Sequence, residues 1–135
     1  MHDASELRSA LEEAFRYGRK ALLEKAVEGA REVEVAVLGN DDPRVSIAGE
    51  IAPRGHEFYD YDAKYTPGLS ETTVTAEVTP VQRAAIHKLA RDAFRAIGAE
   101  GFARVDFLLA GDTLVVSEIN TIPGFTPISL FPILC

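Results

Sequence analysis

At 135 residues the chain can bury one sizeable core but not two independent ones, so one domain, or part of one, is expected. Its 47% hydrophobic and 26% charged residues describe a globular protein, and no apolar run approaches the ~20 residues of a membrane span. The net charge of −7, interrupted by no basic cluster, argues against a surface for nucleic acid or anionic membrane.

Met1 to Glu6 shows neither the basic nor the apolar region of a secretory signal. The single Cys135 can make no internal disulfide, and a reducing cytoplasm fits both features. Asp3 and Glu6 have the spacing of a capping box. Leu7, Ala10, Leu11, Ala14 and Phe15 follow at helical spacing until Gly18, which predicts an amphipathic helix packed by that stripe. Ala21 to Leu23 reads as a short buried strand, and Glu24 to Val27 as a loop leading to Gly29. Glu32 to Gly39 alternates acidic and apolar residues before turning fully apolar, predicting a strand with Glu32 and Glu34 on one exposed face.

Asn40 to Pro43 is a turn, Val45 to Ile51 a strand, and Pro53-Arg54-Gly55 its break. His56 to Ser70, HEFYDYDAKYTPGLS, holds tyrosines, interleaved acids and one lysine without a sustained period. It reads as a long functional loop, with an ordinary surface loop as the competing reading. Thr72 to Thr75 is a further β-like run. Thr79-Pro80-Val81-Gln82 is a capping box with Pro at the first helical position, and apolar residues from Val81 to Ile97 keep helical spacing until Gly98. His87 falls on the flank of that helix, at the surface. None of His2, His56 and His87 clusters with a Cys or a Ser nucleophile, so a His-based triad has no support.

The organising stretch is Phe102 to Ser129, FARVDFLLAGDTLVVSEINTIPGFTPIS. Two strands, Ala103–Leu109 and Leu114–Ile119, are joined by a Gly-Asp turn and run into a Pro/Gly-punctuated loop. Both strands are apolar on both faces, which predicts a hairpin inside a covered sheet, yet Arg104, Asp106, Glu118 and Asn120 lie within it. A two-residue Gly111-Asp112 turn would oppose Asp106 to Ser117 and send the two acids to opposite faces. An odd loop centred on Asp112 would oppose Asp106 to Glu118 and Arg104 to Asn120, gathering all four groups. Two carboxylates and an amide oxygen without nearby His or Cys suit Mg²⁺ or Mn²⁺ rather than zinc, and Arg104 would supply a permanent charge for phosphoryl oxygens. The alternative is a buried salt-bridge network that only fixes strand register.

The runs ARVDFLL and SEINTIPGFTPIS, together with FYDYDAKY at Phe58–Tyr65, resemble the metal-binding end of D-alanine–D-alanine ligases, members of the ATP-grasp fold. The resemblance extends more loosely over nearly the whole chain. It implies an α+β class, a mostly antiparallel sheet with flanking helices, as the second half of an ATP-grasp domain spanning residues 1–135. It also implies ATP-dependent joining of two D-alanines for peptidoglycan synthesis.

By that resemblance Glu24, Lys25 and Val27 belong to the adenine-holding linker and Glu32 binds the ribose. The lid loop, about 56–70, brings Lys64 to the γ-phosphate and Tyr65 to latch over the substrates. Asp106, Glu118 and Asn120 hold two Mg²⁺ or Mn²⁺ ions. Arg104 and the Gly124 N–H stabilise an oxyanion, and Ser129 binds the carboxylate of the second D-alanine. The Tyr65 of the AKY run favours an amine over D-lactate as acceptor. The family's N-terminal domain, Gly-rich phosphate loop and two further phosphate-binding lysines have no match here, and the family continues beyond Cys135 into a final helix. A fragment of such an enzyme is therefore expected, with the rest of the ligase as its partner and a homodimer compatible with it. The competing reading is a non-catalytic module that binds Mg-nucleotide or a partner protein.

Overall fold

The structure, a computed structural model, describes residues 4–53, 70–126 and 129–135. In chain order they form α1 (Ala4–Tyr17), β1 (Arg31–Gly39), β2 (Arg44–Val45), β3 (Gly49–Pro53), β4 (Ser70–Thr73), α2 (Pro80–Ala96), β5 (Gly101–Ala110), β6 (Thr113–Asn120) and α3 (Leu130–Leu134). The strands make one antiparallel sheet in the order β4-β3-β1-β5-β6, with β2 adding a short rung to β1. This is the expected α+β arrangement.

Period-two alternation decides what each face carries. Val33, Val35 and Val37 of β1 and Ala103, Val105, Phe107 and Leu109 of β5 point to one face, where Ile86, Ala90 and Phe94 of α2 cover them. The other face keeps Ala36 and Leu38 under Leu130, Phe131 and Leu134 of α3. Gly49 makes that second contact close: a Cβ there would meet the Leu130 and Leu134 side chains at 3.2–3.3 Å. The short α3 covers only one end of its face, and the rest holds charged side chains.

The capping box of α2 forms as its sequence predicts. Thr79 Oγ1 accepts from the Gln82 N–H at 3.2 Å, and Gln82 Oε1 accepts from the Thr79 N–H at 2.9 Å. At the other end Gly98 takes φ 65°, so that its N–H bonds Arg95 O while Ala99 N–H bonds Phe94 O, the Schellman pairing. Phe94 is fully buried in the sheet–helix interface. Phe94→Ala is expected to lower stability by about 3–5 kcal/mol, read as a lower urea midpoint with an unchanged slope.

Several expectations need correction. Ala21 to Leu23 forms no strand: a strand needs a neighbouring ladder, none of the described strands offers one, and Leu22 stays 82% exposed. The α1 stripe is only half covered at Leu7, Leu11 and Ala14 and leaves Phe15 exposed, so it is not a packed core face among the described residues. The single strand expected over Val45 to Ile51 is split into β2 and β3, because register slips by one residue between Val37↔Val45 and Glu34↔Gly49. At the slip, Ser46 Oγ replaces a backbone partner by accepting from the Ala36 N–H at 2.9 Å. His87 is half-buried rather than at the surface, and burial holds its imidazole below the usual range. Asp3 of the first capping box and His56 lie outside the described residues.

Candidate active site

The hairpin settles the register by a route that turn length alone does not show. Its turn is the two-residue Gly111-Asp112, with Gly111 at φ 57° as a primed turn requires. Ala110↔Thr113, Leu109↔Leu114, Leu108↔Val115 and Phe107↔Val116 pair accordingly. Between Phe107 and Asp106 the ladder then shifts, Ser117 is passed over as a bulge, and Asp106 opposes Glu118 with Arg104 opposing Asn120. The odd loop proves unnecessary. A bulge inserts one residue and restores all four groups to one face. Among the described residues the hairpin is also not interior to the sheet, since β6 is an edge there and Val115 is 40% exposed.

The β1–β5 register places Glu34 opposite Asp106, so Glu34, Asp106 and Glu118 form a row across three strands. Arg104 sits beside that row. Its Nε and Nη2 donate to Asp106 Oδ1 and Oδ2, both at 2.7 Å. The same Nε lies 2.9 Å from Glu34 Oε2, and Nη2 lies 3.9 Å from Glu118 Oε1. Asn120 Nδ2 donates to both Asp106 Oδ2 and Glu118 Oε1 at 3.1 Å. Glu34 is 3% exposed, so the expectation of an exposed Glu32/Glu34 face is wrong: Glu34 is buried and Glu32 half-buried.

Burial and the facing Glu118 carboxylate push the Asp106 carboxyl up against the opposing pull of Arg104. Burial disfavours the Arg104 guanidinium, but its hydrogen bonds and attraction to Asp106, with Glu34 and Glu118 adding to them, more than restore it. Arg104 is therefore the permanently charged member of the cluster. An open cleft of about 140 Å³ leads to these groups, with Glu32, Ile51, Leu108 and Ser117 in its wall.

Asp106, Glu118 and Asn120 are the residues that could hold a divalent cation. Asp106 and Glu118 converge on one amide, that of Asn120; rotating that amide by half a turn would present an oxygen where its nitrogen now bridges the two carboxylates. Three hard oxygen donors would then face one point.

The loop after β6 is tied to the sheet by three rings: Phe102 of β5, Phe125 of the loop and Phe131 of α3 have centroids 5.2–5.8 Å apart. Within it Ser129 Oγ accepts from the Thr126 N–H at 3.1 Å and lies 2.8 Å from Thr126 Oγ1. A Cβ on Gly124 would stand 2.9 Å from Ser129 Oγ, so glycine is what lets the hydroxyl approach this backbone. Gly124→Ala is expected to displace the Ser129 hydroxyl from the Thr126 N–H with little change in melting temperature. A crystal structure of the variant with thermal unfolding checks it.

The structure thus brings together Arg104, Asp106, Glu118, Asn120 and Glu32 around the cleft, and Gly124 with Ser129 in the adjoining loop. It does not bring Glu24, Lys25 and Val27 to the cleft wall; they lie in the irregular segment before β1, Glu24 and Lys25 exposed and Val27 half-buried. Lys64 and Tyr65 lie outside the described residues. Glu34 is the site residue that reading the sequence missed. Its position in step with Glu32, two residues on, was the available signal.

Comparison with known proteins gives the arrangement its relatives. The family model described as "D-ala D-ala ligase C-terminus" matches residues 1–135. A D-alanine–D-alanine ligase of Geobacillus thermodenitrificans is 50% identical over 130 residues, which is 96% of this chain and 35% of that protein. Among solved structures, the VanG D-Ala:D-Ser ligase of Enterococcus faecalis superposes with a TM-score of 0.82 at 34% identity, over 98% of this chain and 38% of that one. The D-alanine–D-alanine ligase of Bacillus anthracis complexed with ATP gives 0.80 at 27% identity, over 99% and 42%. The chain therefore spans little more than a third of the length of the relatives it matches, and it belongs to the family of the D-alanine–D-alanine ligase C-terminus, with the ATP-grasp fold.

Proposed function

We propose that the chain works as the metal- and phosphate-facing part of an ATP-dependent carboxylate–amine ligase that joins two D-alanines in the cytoplasm for peptidoglycan synthesis. The observation that carries the proposal is Asp106 opposed to Glu118 across β5 and β6, with Arg104 and Asn120 within hydrogen-bond reach. In the reaction, a carboxylate oxygen of the first D-alanine attacks the γ-phosphorus of ATP and ADP leaves. The amine of the second D-alanine then attacks the acyl carbon and phosphate departs.

Asp106, Glu118 and Asn120 would hold the divalent ions, Mg²⁺ or Mn²⁺, which when bound neutralise charge on the transferring phosphoryl group. Arg104 offers fixed N–H donors to the oxyanion that forms when the amine attacks, with the Gly124 N–H as a second donor. Ser129, its Oγ held by the Thr126 N–H, would donate its hydroxyl hydrogen to the carboxylate of the second amino acid. Glu32, in the cleft wall, suits the ribose hydroxyls, while Glu24, Lys25 and Val27 serve the adenine edge. Lys64 and Tyr65 would close over the nucleotide and keep water from the acyl phosphate. The remaining two-thirds of the relatives' length would supply the other side of the site.

The likeness to a D-Ala:D-Ser ligase gives a second reading specific support: the same scaffold with a hydroxylated amine acceptor. One competition assay decides between them. The complete ligase is given ATP, Mg²⁺ and D-alanine with equimolar D-serine and D-lactate. D-Alanyl-D-alanine is expected to dominate. A dominant D-alanyl-D-serine or depsipeptide product would replace the proposed acceptor, and no ligated product at all would favour a non-catalytic binding module.

A further inference from the structure

We propose that Glu34 is a positioning residue for Arg104, a role that rests on the reading of Arg104 as an oxyanion donor. Three carboxylates surround this guanidinium, and they differ in what else they are placed to do. Asp106 and Glu118 converge on Asn120 and on the cleft, where a cation would draw on their oxygens. Glu34 reaches Arg104 from the other side, from β1, where it is 3% exposed and its Oε2 lies 2.9 Å from Nε. Arg104 Nε is thus shared in a limited sense: its one hydrogen is donated to Asp106 Oδ1 while Glu34 Oε2 stands beside the same nitrogen as an ion-pair partner, and Nη2 turns to Asp106 and Glu118.

The sharing matters once a cation engages Asp106. A carboxylate that gives its oxygens to a divalent ion no longer presents them bidentately to a guanidinium, so Arg104 would lose its two shortest contacts at the stage when it must be held still. Glu34 keeps Nε anchored through that change. Nε and Nη2 lie on one edge of the planar guanidinium, so fixing that edge from the β1 side leaves Nη1, on the opposite edge, available for an anionic oxygen. The β1–β5 ladder makes the anchor rigid: Glu34↔Asp106 and Ala36↔Arg104 are paired rungs in mid-sheet, and central strands move little.

The test uses the complete ligase with Glu34→Gln and Glu34→Ala, and two readouts. The first is kinetic. Glu34→Ala is expected to lose about a hundredfold in kcat with KM for ATP within about twofold of the parent. Glu34→Gln, whose amide oxygen can take the Nε–H when Asp106 turns from it, is expected to lose about tenfold or less. The second is the Arg104 Nε–Hε resonance in ¹⁵N-labelled protein saturated with Mg·ADP. The parent should show it slowly exchanging, Glu34→Gln should keep it, and Glu34→Ala should lose its protection while backbone amides of β1 and β5 stay in place. Retained protection, or kcat within about twofold, in Glu34→Ala overturns the proposal. A parent without ligase activity would overturn the functional reading instead, and the Arg104 resonance would still decide whether Glu34 anchors the guanidinium.

Discussion

Asp106→Asn and Glu118→Gln, each made in the complete ligase, are expected to abolish nucleotide-dependent Mg²⁺ binding and to lower turnover by well over a hundredfold. Loss of a residue that merely supports a metal ligand costs about 10–100-fold, and a ligand itself should cost more. The folded state should tolerate both changes. Burial already pushes the Asp106 carboxyl up, so a neutral amide of the same shape removes a charge that the site disfavours, and Glu34 remains beside Arg104 to compensate the guanidinium. Glu118 lies on the edge strand, where its loss leaves little buried surface to repack. Titration calorimetry with Mg²⁺ and ADP, alongside thermal unfolding, separates the two effects. If both variants bind metal as well as the parent, the cluster is a register-fixing salt-bridge network and the metal assignment is wrong.

Much of the hairpin was legible because its chemistry is local. Period-two alternation puts Arg104 with Asp106 and Glu118 with Asn120 whatever the pairing, and only their mutual register depended on something the sequence left open. That register is decided by a bulge at Ser117, which no turn residue announces. The capping box at Thr79 and the glycine stop at Gly98 were legible for the same reason: their partners are three to five residues away. What failed was non-local. Glu34 looked solvent-facing because alternation says which face a residue takes but not what covers that face, and here β5 brings Arg104 against it. Leu22 and Leu23 looked like a strand because apolar residues report a wish for burial, whereas a strand requires a neighbour to pair with.

Purified alone, the 135-residue chain is expected to make no D-alanyl-D-alanine. In the proposed role Arg104 and the carboxylates of β5 and β6 would orient a phosphoryl group only from their own side, and 96% of the chain matches just 35% of the Geobacillus thermodenitrificans ligase. A reacting group misplaced by ~1 Å loses about a hundredfold in rate, and removing the opposite half of the positioning apparatus should cost far more. The surface of the chain points the same way. Leu22 at 82% and Leu23 at 64% exposure, with Phe15 on the half-covered face of α1, form apolar surface in the segment leading to β1, and such surface invites association with whatever can cover it. The measurement is phosphate release with ATP, Mg²⁺ and D-alanine, run on the chain alone, on its Glu118→Gln variant, and on the chain with the remaining ligase segment supplied in trans. No D-alanine-dependent release above the Glu118→Gln background is expected from the chain alone, and partial recovery is expected in trans. Turnover by the chain alone above that background would show that one side of the site suffices for the reaction.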